Sequence, residues 1–308
     1  MVYLLLIIGL AMIIFGADAL VDGASGIARK FNVSEFVIGL TIVGFGTSCP
    51  ELVVSLTGAL SGSADIAIGN VVGSNIFNTL LILGMTALIM PIAITRENKL
   101  RDIPITILVT LTFILFGLFQ KNISRLEAII LLLMFGAYMY MCFKSNDGDT
   151  EEVTAKQIKL FKAIVLTIAG LAGLVIGGRL FVNSATDIAR MAGVSDKFIA
   201  ITLLAGGTSL PELATCVVAA IKGKGQLALG NILGSNVFNI LLILGCSAII
   251  TPLNFSSMNY VDLGVLVLST IAVFTSAYVG RKDKIDRLDG AIFLILEIAY
   301  LIYLSINL

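Results

Sequence analysis

The chain repeats itself at a fixed offset of 161 residues, without a gap. Gly69-Asn-Val-Val-Gly-Ser-Asn-Ile-Phe-Asn-Thr-Leu-Leu-Ile-Leu-Gly84 returns as Gly230-Asn-Ile-Leu-Gly-Ser-Asn-Val-Phe-Asn-Ile-Leu-Leu-Ile-Leu-Gly245, identical at 12 of 16 positions. Gly46-Thr-Ser-Cys-Pro-Glu51 returns as Gly207-Thr-Ser-Leu-Pro-Glu212, Ile27-Ala-Arg29 as Ile188-Ala-Arg190, and Val33-Ser34 as Val194-Ser195. Chance does not supply a match of that length and register. Two copies of one unit must therefore fold alike, and whatever site one copy contributes the other contributes again.

The medium in which the copies fold follows from composition. Of 308 residues, 58% are hydrophobic and 13% charged, with mean hydropathy +1.03. Soluble domains carry about 25% charged residues, so this is an integral membrane protein. Apolar stretches fall near 2–22, 36–60, 66–90, 103–119, 126–143, 161–182, 197–221, 227–251, 263–280 and 288–306. Each can cross a ~30 Å hydrocarbon core as a helix. The first run has no basic segment before it and matches a later span, so it reads as a retained helix.

The expected fold is an all-α membrane protein of ten transmembrane helices with broken helices at its centre. Residues 1–143 form an N-terminal five-helix repeat and 161–308 a C-terminal one; 144–160, with Asp147, Asp149, Glu151 and Glu152, form a polar linker. Five spans is an odd number, so the second repeat enters the membrane from the opposite side, as in inverted-repeat transporters. With the termini on one side, that side carries five Lys and Arg residues and the other fifteen. The positive-inside rule then makes the linker cytoplasmic and both termini extracytoplasmic. Compact loops point to a prokaryotic plasma membrane.

Several functions are excluded. A formal net charge of zero argues against a nucleic-acid partner. Histidine and tryptophan are absent, which removes imidazole ligands and imidazole proton relays. Cys49, Cys142, Cys216 and Cys246 lie in apolar surroundings without close pairing and read as reduced packing residues. No Gly-x-x-x-x-Gly-Lys-Ser/Thr loop exists to power ATP-driven pumping. Ser48 and Ser209 have no histidine to activate them, so an enzyme is not expected. Neither a cofactor nor an obligate protein partner is implied; the expected partners are the bilayer and the transported ions.

The Gly-Thr-Ser-x-Pro-Glu motifs put a carboxylate at membrane depth, where a charge costs roughly 2.5–3.5 kcal/mol on insertion scales and usually marks an ion path. Pro50 lacks an N–H and clashes with the carbonyl four residues back, which breaks the helix near Phe45 to Ser48 and frees carbonyls toward the interior. Thr47 and Glu51, four apart, share a face once helix resumes. The donors are carbonyl, hydroxyl and carboxylate oxygens, a set suited to Ca²⁺ and by extension Na⁺. Ser48-x-x-Glu51 and Ser209-x-x-Glu212 also read as capping boxes. Capping alone does not justify a buried charge in both halves.

A second constellation pairs Ser74 with Asn78 and Ser235 with Asn239, each at i,i+4 on one helix face. These four are expected to ligate ions. Asn70, Asn75, Asn231 and Asn236, beside the Gly69/Gly73 and Gly230/Gly234 patterns, are expected to join helices. Asp18, Asp22 and Arg179 are expected near helix ends, within reach of water. Glu297 lies inside the last span opposite Gly136 of the first repeat, with no role beyond a local polar contact.

These paired motifs resemble the calcium/cation antiporter superfamily, most closely its sodium/calcium exchanger branch of the prokaryotic type. The resemblance covers nearly the whole chain and implies antiport of Na⁺ against Ca²⁺ by alternating access. It implies Ca²⁺ held by Glu51 and Glu212 with the carbonyls of Thr47 and Thr208. It implies one Na⁺ near Ser48, Glu51, Ser74 and the Gly44 carbonyl, and another near Ser209, Glu212, Ser235 and the Ala205 carbonyl. Asn78 and Asn239 would line the centre, while the first and sixth spans slide against the bundle. Asn239 departs from exchangers with Asp there, including potassium-dependent ones. The family's three-Na⁺ exchange would make transport electrogenic. An H⁺/Ca²⁺ exchanger is the nearest alternative, but that branch resembles Gly-Asn-x-x-Glu where Gly73 and Gly234 stand here. A cation channel fits an inverted repeat poorly, since channel rings arise around an axis along the membrane normal.

Overall fold

A computed structural model of the chain describes residues 1–62, 64–119, 121–144, 158–193, 206–255, 259–279 and 283–307. Its helices are α1 (Val2–Lys30), α2 (Glu35–Thr47), α3 (Cys49–Leu60), α4 (Ile66–Ile89), α5 (Asn98–Leu118) and α6 (Arg125–Lys144). They continue as α7 (Leu160–Met191), α8 (Leu210–Ile221), α9 (Gly225–Ile250), α10 (Tyr260–Tyr278) and α11 (Arg287–Asn307). Eight are long and apolar enough to cross a membrane singly, and α2 with α3, bent by 47°, makes a ninth span. The protein is thus an all-α multi-pass membrane protein. The expected span 197–221 is represented by α8, because 194–205 lie outside the described residues, as does most of the 144–160 linker.

Two helices run on past their expected ends. The spans read as 2–22 and 161–182 are α1, of 29 residues, and α7, of 32. At 1.5 Å per residue each is well over 40 Å long, more than a ~30 Å core requires. The extension of α1 is small and polar, yet Gly23, Ala24, Ser25, Gly26, Ile27 and Ala28 are buried. Protein, not lipid, covers it, and a hydropathy window therefore misses it. Asp18 and Asp22 consequently lie inside α1 instead of near its end. Both meet Lys222, just beyond α8, whose Nζ is 2.7 Å from each carboxylate.

Glycine sets how closely α1 and α7 approach. A Cβ on Gly16 would stand 2.9 Å from the Gly170 carbonyl oxygen and 2.9 Å from the Leu174 nitrogen. Gly9 meets Gly177 and Phe181, while Gly23 meets Ala163 and Thr167, so the two helices run antiparallel with backbones in contact. Inside the bundle, α4 and α9 are the most buried spans. Phe36, Gly39 and Leu40 of α2 pack on Leu227, Gly230 and Gly234 of α9, the use expected of a Gly-x-x-x-Gly face.

Among the described residues four helices contain π-helical turns: Gly39–Val43 in α2, Asn78–Ile82 in α4, Asn98–Asp102 opening α5, and Asn239–Leu244 in α9. Such turns often mark functional positions. Here two of them start at Asn78 and Asn239.

Short strands at the helix ends exchange in pairs. β1 (Ile92–Ala93) pairs with β4 (Lys284–Ile285), and β2 (Asn122–Ile123) with β3 (Leu253–Asn254), both antiparallel. Repeat-equivalent strands thus make equivalent pairs. Likewise Arg125 Nε donates to the Ile249 carbonyl and Arg287 Nε to that of Leu88, each at 3.1 Å. Each half is tied to the other by contacts that a two-fold would interchange.

Candidate cation-binding site

The bend between α2 and α3 falls at Ser48, which has φ −82° and ψ 6° and separates two short helical segments. This is the far edge of the break expected at Phe45 to Ser48. Pro50 lies in the first turn of α3, where no intrahelical partner exists for its missing N–H. Ser209 repeats the geometry with φ −85° and ψ 8°, ahead of Pro211 in the first turn of α8. The two turns place Glu51 and Glu212 in the interior, each 1% exposed.

Neither serine caps its own helix. Ser48 Oγ donates to Glu212 Oε1 at 3.0 Å, and Ser209 Oγ donates to Glu51 Oε1 at 3.2 Å. The capping-box reading of Ser48 and Ser209 is therefore corrected. An N-cap has extended backbone, whereas ψ near zero turns these hydroxyls away from the first-turn N–H groups. A carboxylate is also the stronger acceptor. The crossed bonds bring the two acids together, one from each half.

The contacts also regroup the residues. Ser235 Oγ points to the Gly44 carbonyl at 3.5 Å, a long contact. Gly44, Ser48, Glu212 and Ser235 therefore neighbour one another, and Ser209 neighbours Glu51. The hydrogen bonds of both serines thus cross between the halves. Thr47 is fully buried, its hydroxyl 3.1 Å from the Val43 carbonyl and 3.2 Å from Asn231 Oδ1. Thr208 lies in the turn before α8. Ala205 lies outside the described residues.

Helix-joining bonds are made by Asn70 and Asn231. Asn70 Nδ2 donates to the Glu51 carbonyl at 3.2 Å and to Ser55 Oγ at 3.0 Å, holding α4 on α3. Asn231 Nδ2 lies 3.3 Å from Cys216 Sγ, the equivalent bond in the second half. Asn75 and Asn236 cross between α4 and α9, where they meet Asn239 and Asn78.

Among the described residues twelve buried side-chain atoms have no hydrogen-bond partner, and six of them belong to this group. Glu51 Oε2, Glu212 Oε2, Ser74 Oγ, Thr208 Oγ1, Asn78 Oδ1 and Asn239 Oδ1 are all buried without a hydrogen-bond partner. Buried acceptors are normally satisfied, and a cluster of exceptions calls for an explanation. All six are oxygens of residues singled out as ligands. Among the described residues no group of three or more His, Cys, Asp or Glu could hold a metal ion. The donor set is thus two carboxylates and neutral oxygens, which hard cations accept.

Two polar clusters were not foreseen. Fully buried Asp102 binds Arg101 Nε at 2.8 Å, Asn98 Nδ2 at 3.2 Å and the Tyr138 hydroxyl at 3.2 Å, joining α5 to α6. Lys224 Nζ donates to Ser25 Oγ at 2.7 Å and Glu35 Oε1 at 2.6 Å. Tyr138 lies 36 positions from Asp102, and Ser25 and Glu35 lie 199 and 189 from Lys224, separations that carry no local spacing signal. Glu297 is buried on α11 with Oε2 unpartnered. The equivalent strands and arginines, Ile123 with Ile285 and Arg125 with Arg287, lie 162 apart, so its counterpart is Phe135 and not the expected Gly136.

A profile of the family described as sodium/calcium exchanger protein matches residues 1–144 and 162–307. The chain belongs to that family. Sodium/calcium exchanger MaX1 of Methanosarcina acetivorans is 33% identical over 344 residues, spanning 98% of each chain. Inner membrane protein YrbG of Escherichia coli K12 is 36% identical over 283 residues, 87% of this chain and 86% of that one. Among solved structures, the sodium-calcium exchanger NCX_Mj soaked with zero Na⁺ and Ca²⁺ superposes with a TM-score of 0.87 at 34% identity, covering 98% of both chains. An exchanger is a transporter, and the buried oxygen cluster lies where the two halves of this exchanger-family chain meet.

Proposed function

We propose that the chain is a secondary antiporter exchanging Na⁺ for Ca²⁺ by alternating access. The observation that carries the reading is the crossed pair of bonds, Ser48 to Glu212 and Ser209 to Glu51. They join two buried acids from opposed halves with unpaired oxygens beside them. The proposed architecture is ten helices in two inverted repeats, 1–143 and 161–308, linked on the cytoplasmic side by 144–160. Relatives named sodium/calcium exchanger support Na⁺ as the coupling ion, as does the absence of a carboxylate at Gly73 and Gly234. A relative named as an inner membrane protein supports a prokaryotic plasma membrane. The basic-residue bias supports extracytoplasmic termini.

In this reading Glu51 and Glu212, with the Thr47 and Thr208 carbonyls, hold Ca²⁺. One Na⁺ takes the Gly44 carbonyl, Ser48, Glu212 and Ser235; another takes Ser209, Glu51, Ser74 and the Ala205 carbonyl. Asn78 and Asn239 line the centre. A hydroxyl has one proton and two lone pairs, so Ser48 and Ser209 can donate to a carboxylate and ligate a cation together. Two ionised carboxylates repel each other in a dry site until a cation enters, which makes an unloaded crossing costly and favours exchange. Radiolabelled Ca²⁺ uptake into proteoliposomes under imposed Na⁺, K⁺ or H⁺ gradients tests this. Uptake should follow the Na⁺ gradient and fall to background in Glu51→Gln and Glu212→Gln. Full activity in either variant removes that residue from the site, and uptake driven by a pH step without Na⁺ reassigns the coupling ion to H⁺.

A further inference from the structure

Asn75 and Asn236 sit one turn from the proposed ligands Asn78 and Asn239, and a backbone atom fixes the direction of the Asn75 and Asn239 amides. The Asn236 carbonyl can only accept, so the Asn75 group 3.1 Å from it is the NH₂. The other end of that amide, Asn75 Oδ1, therefore faces Asn239 and must receive its NH₂, which it does at 2.9 Å. Asn239 Oδ1 is then turned the other way and has no hydrogen-bond partner. The opposite half repeats the arrangement. Asn78 Nδ2 donates to Asn236 Oδ1 at 3.3 Å, Asn236 Nδ2 donates to Thr79 Oγ1 at 2.8 Å, and Asn78 Oδ1 is unpartnered.

We infer that Asn75 and Asn236 are positioning residues that lock Asn239 and Asn78 with their amide oxygens toward the transported cation and their NH₂ groups away from it. The inference rests on the proposed cation site. An asparagine amide is symmetric in shape but opposite in charge at its two ends. Flipped by half a turn, it offers a cation the positive end of its dipole. Both ligand amides are buried, Asn78 1% and Asn239 0% exposed, and inside protein no water compensates the wrong orientation. The crossed pairing commits each NH₂ to the other repeat, and two neutral side chains become pure acceptors. They add ligands without adding charge to the two carboxylates. The anchors differ between halves, because Thr79 corresponds to Ile240 in the repeat. Asn75 is held by main chain, whereas Asn236 is held by a hydroxyl that a single substitution can delete.

A double-mutant cycle on Asn75→Ala and Asn239→Ala tests the inference, reading half-saturating Ca²⁺ and Na⁺ in proteoliposomes. Each single change should raise both concentrations by about tenfold, as expected for loss of one charge-assisted contact. Because Asn75 acts through Asn239, the double variant should be no worse than Asn239→Ala alone. Multiplying effects would mean an independent packing role and overturn the inference, as would an unchanged half-saturation in either single variant. Should Asn75→Ala not fold, Thr79→Val carries the test. It should weaken cation saturation in the natural background and have no effect when Asn78→Ala is present; an effect in both backgrounds, or in neither, overturns the inference. Failure here with Glu51→Gln still inactive leaves the central site standing, whereas an active Glu51→Gln removes both.

Discussion

Ser48 shows how one residue type can satisfy a local rule and serve another purpose. A cap contributes about 0.5–2 kcal/mol to its helix, and removing one should lower stability with or without ions. The bond from Ser48 to Glu212 belongs to the site instead. Ser48→Ala and Ser209→Ala are expected to leave the ion-free melting temperature nearly unchanged while raising half-saturating Na⁺ about tenfold, the loss of ~1.5 kcal/mol of charge-assisted bonding. Thermal melts in detergent with K⁺ as the sole alkali cation, beside Na⁺-dependent Ca²⁺ flux, separate the two roles. A melt lowered by several degrees with flux unaltered would restore the cap. Glu51 and Glu212 were legible in the sequence because a carboxylate in an apolar run is costly enough to demand a reason. The pairing of Ser48 with the opposite half's acid was not. Spacing along a chain carries no information about which half a hydroxyl turns toward, and Ser48 reaches Glu212 across 164 positions.

Helix lengths were read well where lipid covers the helix and poorly where it does not. The spans expected at 126–143 and 288–306 match α6 and α11 closely, and both expose much of their apolar surface. The span at 2–22 stopped short because the end of α1 contains small and polar residues buried against protein. That at 161–182 stopped where α7 turns polar, an end on which Ser184 and Thr186 are buried and Asn183, Asp187 and Arg190 exposed. At Lys222 burial pulls the pKa down, but hydrogen bonds and charge from Asp18 and Asp22 outweigh it and hold the pKa above the ordinary lysine value. Asp18 and Asp22 thus keep an ion triad at the contact of α1 with the end of α8. The glycine seam holds α1 and α7 in backbone contact as one unit, which sliding of the pair, as the family resemblance implies, would require. Gly16→Val would push a side chain into the Gly170 carbonyl and Leu174 nitrogen, both backbone atoms that cannot turn aside. It is expected to destabilise the protein by about 1–3 kcal/mol and to abolish exchange. Gly136→Val on exposed α6, where a Cβ meets nothing within 4 Å, is the control and should match the natural protein in melting temperature and flux. Equal behaviour of the two variants would show that the seam tolerates separation.

At the scale of the whole molecule, the repeat announced two copies of one unit, and the exchanged strand pairs and arginine contacts bear out that the copies embrace each other. The side on which each copy sits is less legible, since a bias of basic residues is a statistical signal and not a contact. What the sequence repeat does dictate is charge. It supplies one carboxylate from each half, Glu51 and Glu212, and Asn239 adds none where an Asp would make a third. If the family's three-Na⁺ exchange applies to the proposed site, Ca²⁺ leaves the loaded site neutral and three Na⁺ leave it with one positive charge, so the Na⁺ limb of the cycle would carry charge across the membrane. One charge through 100 mV corresponds to ~2.3 kcal/mol. With equal Na⁺ on both sides of a proteoliposome and a K⁺ diffusion potential set by valinomycin, 100 mV positive inside should drive Ca²⁺ inward. It should accumulate about fifty-fold, since each 1.4 kcal/mol is a factor of ten. The reversed potential should empty preloaded vesicles by the same factor. A Ca²⁺ distribution that ignores the potential would mean two Na⁺ per Ca²⁺, a cycle in which both loaded states are neutral.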